Sequence, residues 1–180
     1  SEMLDITLVL NCNNTRIKRS YRKHFFYYVL NYFTLRSEYT KFKELQVYDA
    51  PIHSFDSEYV GNWQKFTEAT IDHVKDSECE IIIKFGMSLL RVDAAIKDIP
   101  ILSYHHGDPA QFRGRPAGFY ELLQNTDKIG IVVQQISNKL DAGKMLAIGH
   151  SQMVRHSYKR TSRNFYSLSA FLLPKALACY

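Results

Sequence analysis

Ile99-Pro100-Ile101-Leu102-Ser103-Tyr104-His105-His106-Gly107-Asp108-Pro109 runs from an apolar stretch straight into a polar segment punctuated by glycine and proline. Ile99 to Ser103 reads as a short strand and Gly107 with Pro109 as the loop that follows it, so His105 is expected at a strand's carboxyl end. In open α/β sheets, ligands bind there. A second apolar run, Ile129 to Ile136, empties in the same way into Ser137-Asn138-Lys139, just before Leu140-Asp141-Ala142-Gly143. If the two strands are neighbours, Asp141 comes within hydrogen-bond reach of His105. A carboxylate there fixes the imidazole tautomer and stabilises the imidazolium, leaving the other ring nitrogen to take or give a proton near neutral pH.

Outward from this point the chain alternates strand and helix patterns. Ile81 to Phe85 is a continuous apolar run rich in β-branched residues, the mark of a strand covered on both faces, and Gly86 breaks it before a helical turn around Val92 to Ile96. Further upstream, Ile6 to Leu10 reads as a strand ending in the polar turn Asn11-Cys12-Asn13-Asn14, and Val47 with Ile52 marks another extended piece. Ile17, Tyr21, Phe25, Tyr28, Tyr32 and Leu35 recur at helical spacing, as do apolar positions from Trp63 to Val74. Downstream, Phe119 to Leu123 begins a helix, and Met145 to Ile148 with Met153-Val154 forms a pair of edge strands. Thr161 to Ala178 is a last helix, which Pro174 would bend or end. Strands alternating with helices predict one α/β domain over residues 1–180, three-layered and Rossmann-like, on a mostly parallel sheet.

With 46% apolar and 23% charged residues in 180, the composition excludes a disordered chain. No apolar stretch approaches the roughly 18 residues of a membrane span, and the first ten residues lack a signal-peptide pattern, so a cytoplasmic location is expected. Cys12, Cys79 and Cys179 are odd in number and far apart, against a disulfide framework, and no His/Cys/Asp cluster has metal-ligand spacing. The net charge of +5 has one notable concentration, Arg16, Lys18, Arg19, Arg22 and Lys23, followed by Phe25, Phe26, Tyr27, Tyr28, Tyr32 and Phe33. Three readings of residues 16–35 stay open: a helix packed on the sheet with a solvated cationic face, a contact for a phosphorylated acceptor, or peripheral membrane contact.

The order and spacing of four elements resemble the folate-dependent formyltransferases, the family of methionyl-tRNA, glycinamide ribonucleotide and sugar-amine N-formyltransferases. The elements are Ile81 to Leu90 with its Phe85-Gly86-Met87-Ser88 turn, Ser103-Tyr104-His105, Arg113-Gly114, and Leu140-Asp141-Ala142-Gly143, with His105 and Asp141 36 residues apart. The match covers residues 81 to 177 well and residues 6 to 80 by element order alone. It implies formyl transfer from 10-formyltetrahydrofolate to a small-molecule amine, without a metal. His105 would handle protons, Asp141 would orient it, and Ser103 would stand where the family's Asn donor stands. Phe85, Gly86, Met87, Leu89, Leu90, Ser137 and Leu140 would enclose the folate, and Asn11, Asn13, Arg113 and Gly114 would face the acceptor. A nucleotide-linked amino sugar suits the basic front of the chain better than tRNA, for which no added domain is visible, so nucleic acid is not the expected partner.

Two departures mark a distinct branch. Ser103 offers a hydroxyl in place of an amide donor, and His106-Gly107-Asp108 replaces the family's usual Pro-Ser-Leu-type continuation. Complete members open with a strand, a glycine turn and a helix ahead of the strand that Ile6 to Leu10 represents, so the chain reads as lacking its first strand and helix. These departures keep two rivals in view, a hydrolase that passes the formyl group to water through the same His105-Asp141 pair, and a non-catalytic folate-binding module.

Overall fold

The computed structural model describes residues 5–14, 22, 25, 26, 29, 32, 50–87, 89–108, 111, 112, 117–139 and 143–179. Its elements in chain order are β1 (Val9–Cys12), β2 (Ile52–Phe55), β3 (Glu58–Val60), β4 (Trp63–Lys65), α1 (Glu68–Asp76), β5 (Ile82–Lys84) and β6 (Leu89–Leu90). After a 3-10 turn (Ala94–Ile96) come β7 (Ile101–His106), α2 (Phe119–Leu123), β8 (Lys128–Gln135), β9 (Lys144–Gln152) and α3 (Tyr158–Leu177).

The strands fall into three sheets, with orders β1-β2, β3-β4-β6 and β5-β7-β8-β9. Pairing is parallel for β1 with β2, β4 with β6 and β5 with β7, and antiparallel for β3 with β4. The expectation of one mostly parallel sheet is corrected accordingly to mixed sheets. The cause is local: a two-residue loop, Gly61-Asn62, with Gly61 at φ +63°, folds Val60 back onto Trp63 as a hairpin. That hairpin also corrects the helix expected from Trp63. Trp63 to Lys65 is strand, and the helix starts at Glu68 because the Thr67 side chain accepts the amide of Thr70 as its N-cap.

The chain divides into two compact units. The first comprises Ser1–Ile17, Glu44–Ser103 and Gln135–Gly143. Its core packs Phe55, Phe66, Ile71, Val74, Leu90, Ile96 and Ile101, with Phe55 and Phe66 meeting edge to face at 5.5 Å. The side of α1 that carries Thr70, Ile71 and Val74 is buried, as the three-and-four spacing predicts.

The second unit comprises Lys18–Lys43, Tyr104–Gln134 and Lys144–Tyr180. Five consecutive residues of β8, Ile129 to Val133, are buried, which is the signature of a strand covered on both faces. Strand β9 is a single nine-residue strand at the end of its sheet, in place of the expected pair, and Met153-Val154 lies beyond it. Helix α3 buries Phe165, Leu172 and Ala176 and continues through Pro174 to Leu177. Of the basic and aromatic stretch at residues 16–35, Arg22 is described as an exposed turn residue and Phe25, Phe26, Val29 and Tyr32 as helical and exposed; the rest of that expectation lies outside the described residues. Among the described residues no helix is long and apolar enough to cross a membrane.

Candidate functional site

Successive side chains of a strand point to opposite faces, so adjacent histidines at the end of β7 must meet different surroundings. His106 lies among rings, with centroids 5.1 Å from Tyr166, 5.3 Å from Phe165 and 6.0 Å from Tyr104. Its Nε2 is 2.9 Å from the Ser169 hydroxyl, which donates its own hydrogen to the Phe165 carbonyl at 2.8 Å. The hydroxyl therefore accepts, and Nε2 carries the proton of a neutral imidazole. Burial, with a smaller contribution from the charge of His105, lowers its pKa from 6.5 to about 4. His106 is thus part of the packing between β7 and α3.

His105 is treated differently. Its Nε2 is buried and has no hydrogen-bond partner among the described residues, and the same holds for Oε1 of Glu121. Both atoms lie on the side of Gly107 where a side chain would project. A β-carbon placed there would lie 3.5 Å from His105 Nε2, 3.6 Å from Glu121 Oε1 and 3.1 Å from the Phe112 carbonyl oxygen. Gly107 also sits at φ +140°, a backbone conformation that disfavours any side chain.

The chain around Gly107 is pinned by its neighbours. The Gly107 amide donates to the carbonyl of Gly130 at 2.8 Å, and a β-carbon at Gly130 would come within 3.1 Å of the Asp108 amide nitrogen. The Asp108 carbonyl accepts the amides of Gln111 and Phe112, and its carboxylate accepts the Gln111 side chain at 2.9 Å.

Glu121 is 2% exposed, on a five-residue helix that is otherwise Phe119, Tyr120, Leu122 and Leu123. Desolvation raises its pKa, opposed by its own backbone hydrogen bond and by the charge of His105, while Asp108 raises it further. The sequence reading missed this residue. Its one visible signal was a lone carboxylate inside an apolar run.

Beside this loop a cleft of about 410 Å³ is lined by Asp108, Gln111, Phe112, Thr126, Asp127, Lys128, Gly130 and His150. It carries both signs of charge, and Asp127 is held at 2.6 Å by Arg155.

The described residues of the stretch read as folate-enclosing, Phe85 to Met87, Leu89, Leu90 and Ser137, lie in the first unit. Ser103 on β7 is the register partner of Lys84, which leads into Phe85, Gly86 and Met87. Gly86 and Met87 are both left-handed, at φ +67° and +56°, and for Met this is an uncommon, strained conformation. Phe85 and Leu89 are exposed, whereas Leu90 is buried in the core. Beyond β6, Val92 is tied to Asn138, whose side chain accepts the Val92 amide at 2.7 Å and donates to the Val92 carbonyl at 2.9 Å. Ser137 hydrogen-bonds the backbone of Lys139.

At the end of β1, Asn11 donates to Asn13 and to Ser54, and the side chain of Asn14 is paired with Ser57 through its amide, carbonyl and hydroxyl. Leu140, Asp141, Arg113 and Gly114 lie outside the described residues, so the expected contact of His105 with Asp141 is not placed. No group of three or more metal-ligating side chains occurs among the described residues.

No family model matches the sequence, and no curated protein does. Solved structures do. Phosphoribosylglycinamide formyltransferase from Campylobacter jejuni superposes with a TM-score of 0.51 at 20% identity, over 61% of this chain and 59% of that one. The fold is formyltransferase-like. Glycinamide ribonucleotide transformylase 1 from Geobacillus kaustophilus gives 0.55 at 13% identity, covering 72% of this chain and 70% of that one. A formyltetrahydrofolate deformylase from Pseudomonas putida gives 0.56 at 13% identity, over 96% of this chain and 53% of that one. The formyltransferase-like chain thus spans between about half and about 70% of these proteins' lengths.

Proposed function

We propose that the protein transfers a formyl group from 10-formyltetrahydrofolate to a small-molecule amine, with His105 as the residue that moves the proton. The observation that carries this reading is the unpartnered, buried Nε2 of His105 at the end of β7 in a formyltransferase-like fold. A buried polar atom left without a partner costs about 1–3 kcal/mol, which a folded protein tolerates best where the atom has other work.

In the reaction, the amine nitrogen attacks the formyl carbon and a new C–N bond forms. His105 accepts the proton that the nitrogen sheds, the bond from formyl carbon to N10 breaks, and N10 takes up a proton. Products are a formamide and tetrahydrofolate. Ser103 would donate its hydroxyl to the developing oxyanion and Asp141 would orient His105, as the resemblance implies. The folate would be enclosed by Phe85, Gly86, Met87, Leu89, Leu90, Ser137 and Leu140. The acceptor would meet Asn11, Asn13, Arg113 and Gly114. A phosphorylated or nucleotide-linked amino sugar also suits the cleft, because Lys128 offers an ammonium group, His150 an imidazole and Asp108 a carboxylate.

The test supplies the purified protein with 10-formyltetrahydrofolate and a panel of amines that includes nucleotide-linked amino sugars, and measures tetrahydrofolate release and formamide mass. His105→Ala is expected to lower turnover by about 10²- to 10⁴-fold, the worth of a placed proton-transfer group. Wild-type turnover in that variant would overturn the assignment. Ser103 favours a second reading, because a hydroxyl in place of an amide weakens a donor typically worth about 10²- to 10³-fold. Folate binding without turnover would establish the binding module, and formate release without amine would establish the hydrolase.

A further inference from the structure

We propose that residues 16–36 dock on the surface of a lipid bilayer that carries anionic phospholipid headgroups. The basis is independent of formyl transfer, and it begins with where the chain keeps its charge. Between Asp5 and Glu38 there is no carboxylate, while Arg16, Lys18, Arg19, Arg22, Lys23 and Arg36 all fall there. Without those six cations the net charge of +5 becomes −1, so the whole positive excess of the protein belongs to one short stretch.

The same stretch shows apolar side chains to solvent. Phe25 is 59% exposed and Phe26 84%, and Val29 and Tyr32 are exposed as well. All four are helical, and Phe25, Val29 and Tyr32 stand at four- and three-residue steps, the spacing that puts helical residues on one face. Large rings left in water favour any apolar medium that takes them up. Charge decides which medium. An interfacial helix sends aromatic and aliphatic side chains into the boundary between headgroups and acyl chains, while Lys and Arg meet anionic headgroups. A second copy of this chain would instead set six cations against six, which repel. Single-stranded nucleic acid needs flat ring faces on which bases stack. Phe25 and Phe26 meet edge to face, with centroids 5.6 Å apart and planes at 75°, and Val29 offers no ring.

The experiment sediments the full chain with vesicles of pure phosphatidylcholine or of phosphatidylcholine and phosphatidylserine in equal parts. Binding is expected to the mixed vesicles and not to the neutral ones, and to weaken as salt is added. Arg22→Gln combined with Lys23→Gln should weaken it by roughly fivefold for each cation removed. Phe25→Ser combined with Phe26→Ser should weaken it by roughly tenfold or more for each ring. Equal binding to both kinds of vesicle overturns the proposal. So does mixed-vesicle binding that the serine variants leave unchanged, which is adsorption of a basic protein by charge alone. Should the serine variants not fold, Phe26→Trp reads the same contact: its fluorescence, beyond that of Trp63, the one native tryptophan, must be quenched by brominated acyl chains. No added quenching overturns the proposal. Absence of vesicle binding overturns it too, in favour of a second copy if sedimentation equilibrium shows dimers that Phe26→Ser dissociates, and of nucleic acid if a uridine oligonucleotide binds and Phe26→Ser releases it.

Discussion

On one side of β7, His106 is packed among Phe165, Tyr166 and Tyr104 and donates to Ser169; on the other, His105 and Glu121 each leave a buried polar atom without a partner. The residues are adjacent in sequence and share a strand, so the contrast comes entirely from what each face packs against. Polar groups buried for structure are satisfied, as His106 is here. The Asn14, Ser57 and Gln64 cluster of the other unit shows the same completeness, with each side chain hydrogen-bonded at 2.7 to 2.8 Å. Among the described residues, the buried side-chain atoms without a hydrogen-bond partner are His105 Nε2 and Glu121 Oε1, both beside Gly107.

The strongest way to break this comparison is to remove the wall of the His106 box. Phe165→Ala empties a fully buried site and is expected to cost about 3–5 kcal/mol in chemical denaturation. It should also let the His106 midpoint rise from about 4 toward 6.5, because solvent then reaches the ring. A midpoint that stays low would show that burial by Phe165 is not its cause.

Acid should separate the two faces next. His106 is a base whose folded pKa, about 4, lies below its ordinary 6.5, so its folded form binds fewer protons than the unfolded chain. Its contribution is therefore fully present above pH 6.5 and is lost as pH falls toward 4, by roughly 3 kcal/mol. Glu121, a carboxyl with a raised folded pKa, has the opposite sign: it favours the folded state at low pH and ceases to as pH rises through that pKa. Denaturation midpoints between pH 4 and 7 should lose the first slope in His106→Leu and the second in Glu121→Gln.

A smaller effect is expected at the loop itself. Gly107→Ala puts a β-carbon 3.1 Å from a backbone oxygen at φ +140°, which should cost about 1–3 kcal/mol and shift the His105 ring signals. Unchanged ring signals would move the pair away from Gly107. Smallest is Thr67→Ala, which removes the N-cap of α1 in the other unit for about 1 kcal/mol. The His106 midpoint should stay near 4, and its movement would mean that its low value reflects general stability rather than the packing of one face of the strand.

Several elements were legible because their signals are local. The apolar run of β8 and the start of α2 at Phe119 fall where periodicity placed them, and His105 is on the strand end that glycine and proline announced. The reading of Trp63 to Val74 as one helix failed because the Gly61-Asn62 turn and the Thr67 cap override the spacing. The pair of edge strands at Met145 and Met153 failed too, since Lys144 to Gln152 is one unbroken strand and Met153 lies beyond it.

The sequence by itself determined the periodic elements, the polar loop after His105 and the resemblance carried by spacing, because strand, helix and turn preferences act over a few residues. Which histidine would be packed and which left unpartnered was decided by the tertiary structure. Glu121 lies 16 residues beyond His105 in sequence, and only the close approach of the chain at Gly107 and Gly130 brings its carboxyl to the imidazole. Burial, and with it the direction in which each group titrates, is a property of the packed neighbours rather than of the residue.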